Sequence, residues 1–394
     1  MKAYVYRLSD LRNTSAAAIG LGTATTVRLG QMLYVALVIA SPINSNKGDN
    51  EYDTFPADEI LAYDIEIFLD NINRGMRLND IGLLSGERSI AYNQVGISLP
   101  TFLLSGNDHT PSTILHGSCR KLHAEGEDCL AAADDIIAAS VEDTSKRPKA
   151  LFLTGDQIYA DDVAMPLIQH ITKFGIELLG WEEQIHGLNK KLTEIGIGER
   201  QRVVRDHAKF TSQKAGNHLL SFGEFAAMYL LAWNAQNWPE IIREGEGLST
   251  NRYDNTTKNH DDIYSKQIKE LKHAYNALPK IRRVLANIPT YMIFDDHDIT
   301  DDWNITKEWH ENVKNSDCGK QIVCNALAAI WAFQAWGNNP DMYSQDFIYK
   351  IRDYLQNEDN KDSRLYLEFS WLVIFRSNKP RCYFHRLPHS TRIY

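Results

Sequence analysis

The chain has 394 residues, of which 43% are hydrophobic and 24% are charged, so it can bury a large core and is not globally disordered. This length predicts one large α/β domain with an appendage. The formal net charge of −9 argues against a general nucleic-acid-binding protein, which needs a basic surface.

The cysteines are irregularly spaced and include no C-x-x-C pair, which argues against a disulfide framework and a structural zinc site; they are Cys119, Cys129, Cys318, Cys324 and Cys382. The N-terminus lacks the apolar segment of a signal peptide. The longest apolar run, residues 32–40, is far shorter than the ~20 residues of a membrane helix. The sequence therefore predicts a cytoplasmic protein without a membrane segment and leaves its oligomeric state open.

Residues 1–105 show strand patterns and no long helical pattern. We expect strands at residues 23–29, 31–40 and 63–69, separated by Gly and Asn. These features predict a small β-rich N-terminal domain, in the form of a sandwich, that ends between Pro100 and Pro111. Nothing in it suggests chemistry, so packing or contact with a partner is its simplest role.

From Thr113 onward, strand and helix patterns alternate. Strand patterns at residues 113–119 and 150–156 flank a helical segment at 128–140, which is typical of a parallel sheet with ligands beyond the carboxyl ends of its strands. Further helices are expected at 163–180, 183–206, 222–233, 263–285 (interrupted at Leu278-Pro279) and 319–335.

The most unusual stretch is an acidic segment behind a third strand pattern at residues 291–294. Ionisable side chains crowd this segment: Asp295, Asp296, His297, Asp298, Asp301 and Asp302. Water on a surface turn or a cation in a cleft can each stabilise such a group. A solvated turn is the commoner case when the segment is considered alone, so the other strand ends decide the interpretation.

Two other strands also end in residues that can bind metals. Cys119 follows the first strand, and Asp156 and Tyr159 follow the second. Carboxylates suit hard cations, whereas thiolate, phenolate and imidazole suit transition metals, so the set could hold two different ions bridged by Asp156. Two metals ~4 Å apart suit phosphoester hydrolysis, and a histidine beside them, such as His297, can protonate the leaving group.

Each of these residues also has a simpler interpretation. A lone Cys119 is usually a small core residue, Gly-Asp156 is often a turn, and Tyr159 fits a core aromatic. Arg120 and Lys121 are equally compatible with phosphate binding and with a solvated surface. Only the coincidence of three such strand ends in one sheet favours an active site.

Three segments carry a resemblance to a known family. His116-Gly-Ser-Cys-Arg-Lys, Ala150-Leu-Phe-Leu-Thr-Gly-Asp-Gln-Ile-Tyr-Ala-Asp-Asp and Tyr291-Met-Ile-Phe-Asp-Asp-His-Asp-Ile-Thr-Asp-Asp-Trp resemble the PhoD-like (alkaline phosphatase D-like) metallophosphatases. The similarity runs from about residue 99 to residue 340. Its Gly-Asp-x-Ile-Tyr and Asp-Asp-His-Asp motifs, in this order after a Ser-Cys, are together quite specific.

The resemblance implies a calcineurin-like metallophosphoesterase core, a sandwich of sheets flanked by helices, in residues 106–371. It also implies hydrolysis of phosphate monoesters or diesters at a mixed or dinuclear metal centre, Fe3+ with Ca2+ in the best-known members, with other divalent metals also compatible. By motif, the metal ligands would be Cys119, Asp156, Tyr159 and Asp296. His297 would be the catalytic histidine, and Arg120 is a weaker candidate for holding phosphate. Asp295, Asp298 and Asp302 would support the ligands without binding the metal, and Asp161 and Asp162 receive no role.

One family feature has no counterpart here. Family members have a later Gly-Asp-x-His segment that supplies a metal-binding histidine, and none follows Asp302; the later histidines are His310, His385 and His389. Residues 372–394 form a basic tail unlike the family, so the catalytic domain is expected to be truncated. Read one nucleotide later, residues 384–392 can encode a family-like segment. We therefore interpret the tail as a frameshifted ending; a natural short variant is the alternative.

The sequence thus predicts a metal-dependent phosphatase acting on a phosphoester. Loss of the C-terminal segment with the metal-binding histidine could impair this activity. The alternative is a non-catalytic metal-binding fragment or binding protein on the same fold. A nuclease or phospholipase on this core is a third reading, because selectivity among phosphodiesters depends on pocket shape rather than on metal ligands.

Overall fold

The structure, a computed structural model, describes residues 1–12, 16–43, 54–69, 74–106, 112–244, 258–356 and 391–393. Helices and strands are mixed along the chain, which confirms the α/β class. The division of the chain at residue 105 and the calcineurin-like form of the core stay predictions.

An antiparallel sheet occupies the N-terminal part of the chain, with the strand order β5-β2-β1-β6-β7 and with β8 also paired to β6. In its centre Val5 of β1 lies opposite Tyr63 of β6. A two-residue ribbon of β3 and β4 lies apart from this sheet. The strands are β1 (Lys2–Arg7), β2 (Gly20–Thr23), β3 (Val27–Arg28), β4 (Tyr34–Val35), β5 (Ala40–Pro42), β6 (Ile60–Ile67), β7 (Met76–Arg77) and β8 (Thr101–Leu103).

The strands predicted at 23–29 and 31–40 are wrong in extent. The chain leaves the sheet after Thr23 and forms a turn at residues 30–32, whose backbone amides bond to a helix end: Gln31 N–H donates to Leu179 O over 2.7 Å and Met32 N–H to Leu178 O over 2.9 Å. This tertiary contact overrides the local strand preference.

A second sheet is parallel throughout, in the order β11-β10-β9-β12. Its strands are β9 (Ser112–Gly117), β10 (Ala150–Thr154), β11 (Thr290–Ile293) and β12 (Thr391–Ile393). In the register, Leu151 lies opposite Leu115 on one side and Thr290 on the other. The short β12 belongs to the basic tail, and residues 357–390 before it lie outside the described ranges.

Helices surround the parallel sheet and build two cores. The smaller core packs Leu115, Leu151 and Leu153 against Ile137 and Val284, and the larger combines helix residues with residues of the loops between them. The helices are α1 (Ala132–Ala139), α2 (Met165–Leu179), α3 (Arg200–Arg202), α4 (Phe222–Trp233), α5 (Glu240–Glu244), α6 (Lys258–Asn287), α7 (Lys307–Lys314), α8 (Asp317–Ile330), α9 (Trp336–Asn338) and α10 (Gln345–Gln356).

Helix α4 matches its predicted range, and its sequence explains why it is central. It is apolar on all sides, which is typical of a fully buried helix. Ser221 and Glu224 form a capping box at its first turn, and Glu224 also binds the buried Arg200 over 2.7 Å. The polar residues at its first turn and the apolar residues along the rest of its length therefore fix the position of this helix within the larger core.

Two helix predictions need correction. Residues 183–206 do not form one helix: Gly187 and Gly198 adopt positive φ angles of 77° and 78°, and helical structure is limited to a 3-10 turn at Leu192–Glu194 and to α3, which continues as a π-helical segment, Val203–Ala208. Helix α6 continues through Pro279 without the predicted interruption, because burial of its neighbours Leu278 and Ile281 offsets the lost hydrogen bond. The predicted helix at 319–335 is α8 followed by a π-helical turn, Trp331–Ala335.

Candidate metal centre

The candidate site forms where three neighbouring parallel strands end. Cys119 follows β9, Asp156 follows β10, and Asp296 follows β11, and these strands are adjacent in the sheet. Parallel strands present their carboxyl ends at one edge, so residues that are 177 positions apart in the chain meet there.

The first two strand ends are joined through their backbones. Cys119 N–H donates to Gly155 O over 3.1 Å, and Arg120 N–H donates to Asp156 O over 3.0 Å. Cys119 and Asp156 have φ angles of 57° and 49°, in the left-handed region that few residues other than glycine adopt. Such strained backbone clusters at functional sites, where the surrounding structure holds it in place.

Side-chain ligand atoms gather at this edge. One potential ligand atom each from Asp156, Asp296 and His297 lies within 4.8 Å of the other two. Cys119 lies within hydrogen-bonding reach of Asp156, and the Tyr159 hydroxyl donates to Asp156 Oδ2 over 3.4 Å. The structure therefore brings Asp156, Asp296 and His297 within reach of one ion, with Tyr159 and Cys119 beside Asp156.

Asp156 is the most buried of these groups, and its environment is poorly suited to a bare carboxylate. Burial raises its pKa and outweighs the opposing effects of Cys119 and His297, while Asp295 and Asp296 add smaller contributions in the same direction as burial. Its Oδ1 atom is buried without a hydrogen-bond partner. An unpaired buried oxygen of this kind costs free energy unless a cation or donor reaches it.

Tyr159 is a neutral phenol in this environment. Burial raises its pKa well above the ordinary value, and the neighbouring Asp156 and Cys119 add to the shift. The ring also packs against His297, with ring centroids 4.4 Å apart. Loss of the phenolic proton would therefore require a strong positive charge at the site.

His297 is held by Asp161, to which the sequence assigned no role. Its Nδ1 lies 2.8 Å from Asp161 Oδ1, and this contact raises the pKa of His297 to about 9, although burial opposes the shift. Burial alone would raise the pKa of Asp161, but the bond from His297 and other nearby donors lower it overall. Ser212 Oγ donates to Asp161 over 2.7 Å, so the carboxylate that orients His297 is itself fixed.

Asp298 joins the loops after β10 and β11. Its carboxylate accepts backbone N–H bonds from Gln157 at 3.0 Å, Ile158 at 3.1 Å and Asp295 at 3.0 Å. Burial raises its pKa to about 7, against the effect of these donors. The sequence showed only that Asp298 is one of several acids; its bonds across the two loops depend on the tertiary fold.

Arg120 does not join the cluster. Its Nε binds Asp128 over 2.7 Å, its Nη1 donates to Ala232 O over 2.7 Å, and its guanidinium carbon lies 4.9 Å from the ring centroid of Trp233. The side chain is buried among these partners, since it is only 9% exposed. The fold uses this side chain to attach the loop after β9 to the end of α4, and its expected role in holding phosphate stays a prediction.

A cavity of about 440 Å³ adjoins the site at Cys119. Residues 117–130 form most of its lining, leucines of β9 and β10 and residues of α1 complete it, and Gln157 and Arg120 add polar atoms. Gln157 Oε1 and Arg120 Nη2 are both buried without a hydrogen-bond partner. This volume lies within the range of small-molecule pockets.

The remaining predicted features lie elsewhere. His310 is on α7, and His385 and His389 lie outside the described residues. None of the helices in the described ranges combines the length and apolar character required to cross a membrane. No family model, curated protein or solved structure matches this chain.

Proposed function

We propose that this chain is a PhoD-like metallophosphatase that hydrolyses phosphate monoesters or diesters on a calcineurin-like core. One observation carries the proposal: a thiol, a phenol, two carboxylates and an imidazole meet at the carboxyl edge of a parallel sheet. This mixture of hard and soft ligands is typical of metal catalysis and unusual for a solvated turn.

The residues fit a metal ion in the place that the resemblance implies. Asp156 Oδ1 is a buried oxygen that lacks a partner, and Asp296 lies close enough to share an ion with Asp156, with His297 beside both carboxylates. Cys119 and Tyr159 would supply a thiolate and a phenolate beside Asp156, which suit iron, and the carboxylates would suit calcium. When bound, such ions would polarise the phosphoryl group and activate water.

His297 would hold and transfer the proton. Because Asp161 accepts from Nδ1, the opposite nitrogen, Nε2, is the one left to serve the substrate. A proton on Nε2 can pass to the departing alcohol oxygen as its bond to phosphorus breaks. Asp161 fixes the ring and stabilises its charged form, and the cavity beside Cys119 offers room for the alcohol portion.

Metal analysis and hydrolysis of p-nitrophenyl phosphate and bis-p-nitrophenyl phosphate test the proposal. We expect bound metal and turnover in the wild type, and loss of both in Cys119→Ala. Cys129→Ala is a matched control, since Cys129 is also an exposed free cysteine. It should retain metal and activity.

Two results would count against catalysis. A wild-type chain that binds calcium but hydrolyses neither ester, with Cys119→Ala keeping calcium-dependent stability, supports the non-catalytic alternative. A chain that binds no metal at all contradicts the metal centre itself.

A further inference from the structure

Three basic side chains surround one carboxylate, Asp162, which lies three residues beyond Tyr159. The Lys121 ammonium donates to its Oδ2, His123 Nε2 lies 3.6 Å from its Oδ1, and Lys214 Nζ lies 4.0 Å from its Oδ2. Asp162 is largely enclosed, with 17% of its side chain exposed. These four residues form what we call the lysine cluster.

The lysine cluster has more positive than negative charge. Two lysines share one carboxylate, so a positive charge remains uncompensated even if His123 is neutral. Burial would raise the pKa of Asp162, but His123 and Lys121 lower it, so the carboxylate stays ionised. Nearby acids face other partners: Glu125 binds Lys266, and Glu127 lies 3.3 Å from His273. The lysine cluster can therefore offer a positive charge to an anionic ligand.

The lysine cluster borders the candidate metal centre. Lys121 Nζ lies 5.6 Å from the ring centroid of Tyr159, and that ring packs directly on His297. Lys214 is near the same place, because Ser212, two residues before it, binds the Asp161 carboxylate that orients His297. Lys214 is 71% exposed and can therefore contact a ligand from solvent.

We propose that Lys121 and Lys214 bind a second phosphate group of the substrate, so that the preferred ester is of the diphosphate type, with a further phosphate next to the one that reacts. This inference rests on the proposed phosphoesterase function. Lysine ammonium groups bind phosphate as point charges, and Asp162 holds them at the edge of the site before the ligand arrives. His123, 8% exposed, supports the carboxylate from behind.

Calorimetric titration with two uncleavable probes tests the inference. Methylenediphosphonate has two anionic groups and methylphosphonate has one, and both are titrated at the same free Ca2+ concentration in cell and syringe. The wild type should bind the diphosphonate more tightly. Lys121→Met should weaken its binding roughly tenfold, since a charged hydrogen bond is lost, and leave the monophosphonate nearly unchanged.

Further variants keep the result interpretable. Lys121→Arg retains the charge and should preserve most of the preference. Lys214→Met, at an exposed position that does not support the fold, should weaken diphosphonate binding by a smaller factor. Lys146→Met is the control, because Lys146 is exposed and, within the described residues, its only ion pair is with Asp143.

The outcomes separate this inference from the proposed function. Equal binding of the two probes by the wild type, or unchanged diphosphonate binding in both Lys121→Met and Lys214→Met, overturns the inference even if the p-nitrophenyl esters are hydrolysed. A diphosphonate preference that depends on the lysines, in a chain without hydrolysis, supports the anion site and contradicts only the catalytic proposal.

Discussion

The antiparallel N-terminal sheet and the carboxyl edge of the parallel sheet treat acidic residues in opposite ways. In the first, the buried Asp64 binds Arg77 over 3.1 Å, and Glu66 accepts from Tyr4 over 2.7 Å. At the second, no lysine or arginine within the described ranges forms an ion pair with Asp156, Asp296 or Asp301. Asp64 thus has a cationic partner, whereas Asp156, Asp296 and Asp301 have no lysine or arginine partner among the described residues, and a metal ion would supply further positive charge beside them.

The largest expected difference concerns metal binding. Asp156→Asn should lower metal affinity by at least about 100-fold and abolish ester hydrolysis, because it removes the buried central carboxylate. Asp64→Asn should change neither. Metal content after dialysis and turnover of bis-p-nitrophenyl phosphate measure these effects, and normal metal content in Asp156→Asn would contradict the assignment.

The next effect is the stability of the N-terminal sheet. Asp64→Ala should lower the free energy of unfolding by about 2 kcal/mol, since it leaves the backbone N–H of Leu78 and the Arg77 guanidinium without their acceptor. Urea denaturation measures the change. An unchanged midpoint would show that the pair is not the stabilising contact described above.

In metal-free protein, the change in the free energy of unfolding caused by Asp156→Asn should have the opposite sign to that caused by Asp64→Ala. Because burial raises the pKa of Asp156, its ionised form disfavours folding at neutral pH. At pH 7 the free energy of unfolding of the Asn variant should therefore equal or exceed that of the wild type, by up to ~1 kcal/mol. This advantage should disappear below pH ~4, the ordinary pKa of an Asp carboxyl, where the wild-type side chain is neutral in both the folded and unfolded states. Destabilisation comparable to that of Asp64→Ala would erase the contrast between the regions.

The smallest effect is a titration shift at His297 in metal-free protein. NMR should show a pKa of about 9 in the wild type and a lower value in Asp161→Asn. Because the folded pKa is raised, this contribution to stability is complete below about pH 6.5 and disappears as pH rises through about 9. The same pKa in both proteins would mean that Asp161 does not set the charge of the ring.

Local sequence patterns predict features that depend on local chemistry. The range of α4 follows from its apolar run and capping box, and the gathering of Cys119, Asp156 and Asp296 follows from strand ends in one parallel sheet. The pairing of His297 with Asp161 is a different case, because it needs the segment around Ser212 to fold against both.

The adjacent basic residues Arg120 and Lys121 illustrate the same limit. Both follow Cys119, and the sequence gives no reason to separate them. The fold buries the first against Asp128 and Trp233 and directs the second toward Asp162 and Tyr159. The tertiary contacts on each side of the loop therefore decide which of the two basic side chains can reach a ligand.

Asp298 has a consequence for how the site opens. Its carboxylate is the common acceptor for amides in the loops after β10 and β11, so neither loop can separate without breaking bonds to the same side chain. The two loops should therefore fluctuate as one cooperative unit, with similar hydrogen-exchange protection at Gln157, Ile158 and Asp295. Asp156 and Asp296 would then be gained or lost together, so the site would be either whole or absent in any one molecule.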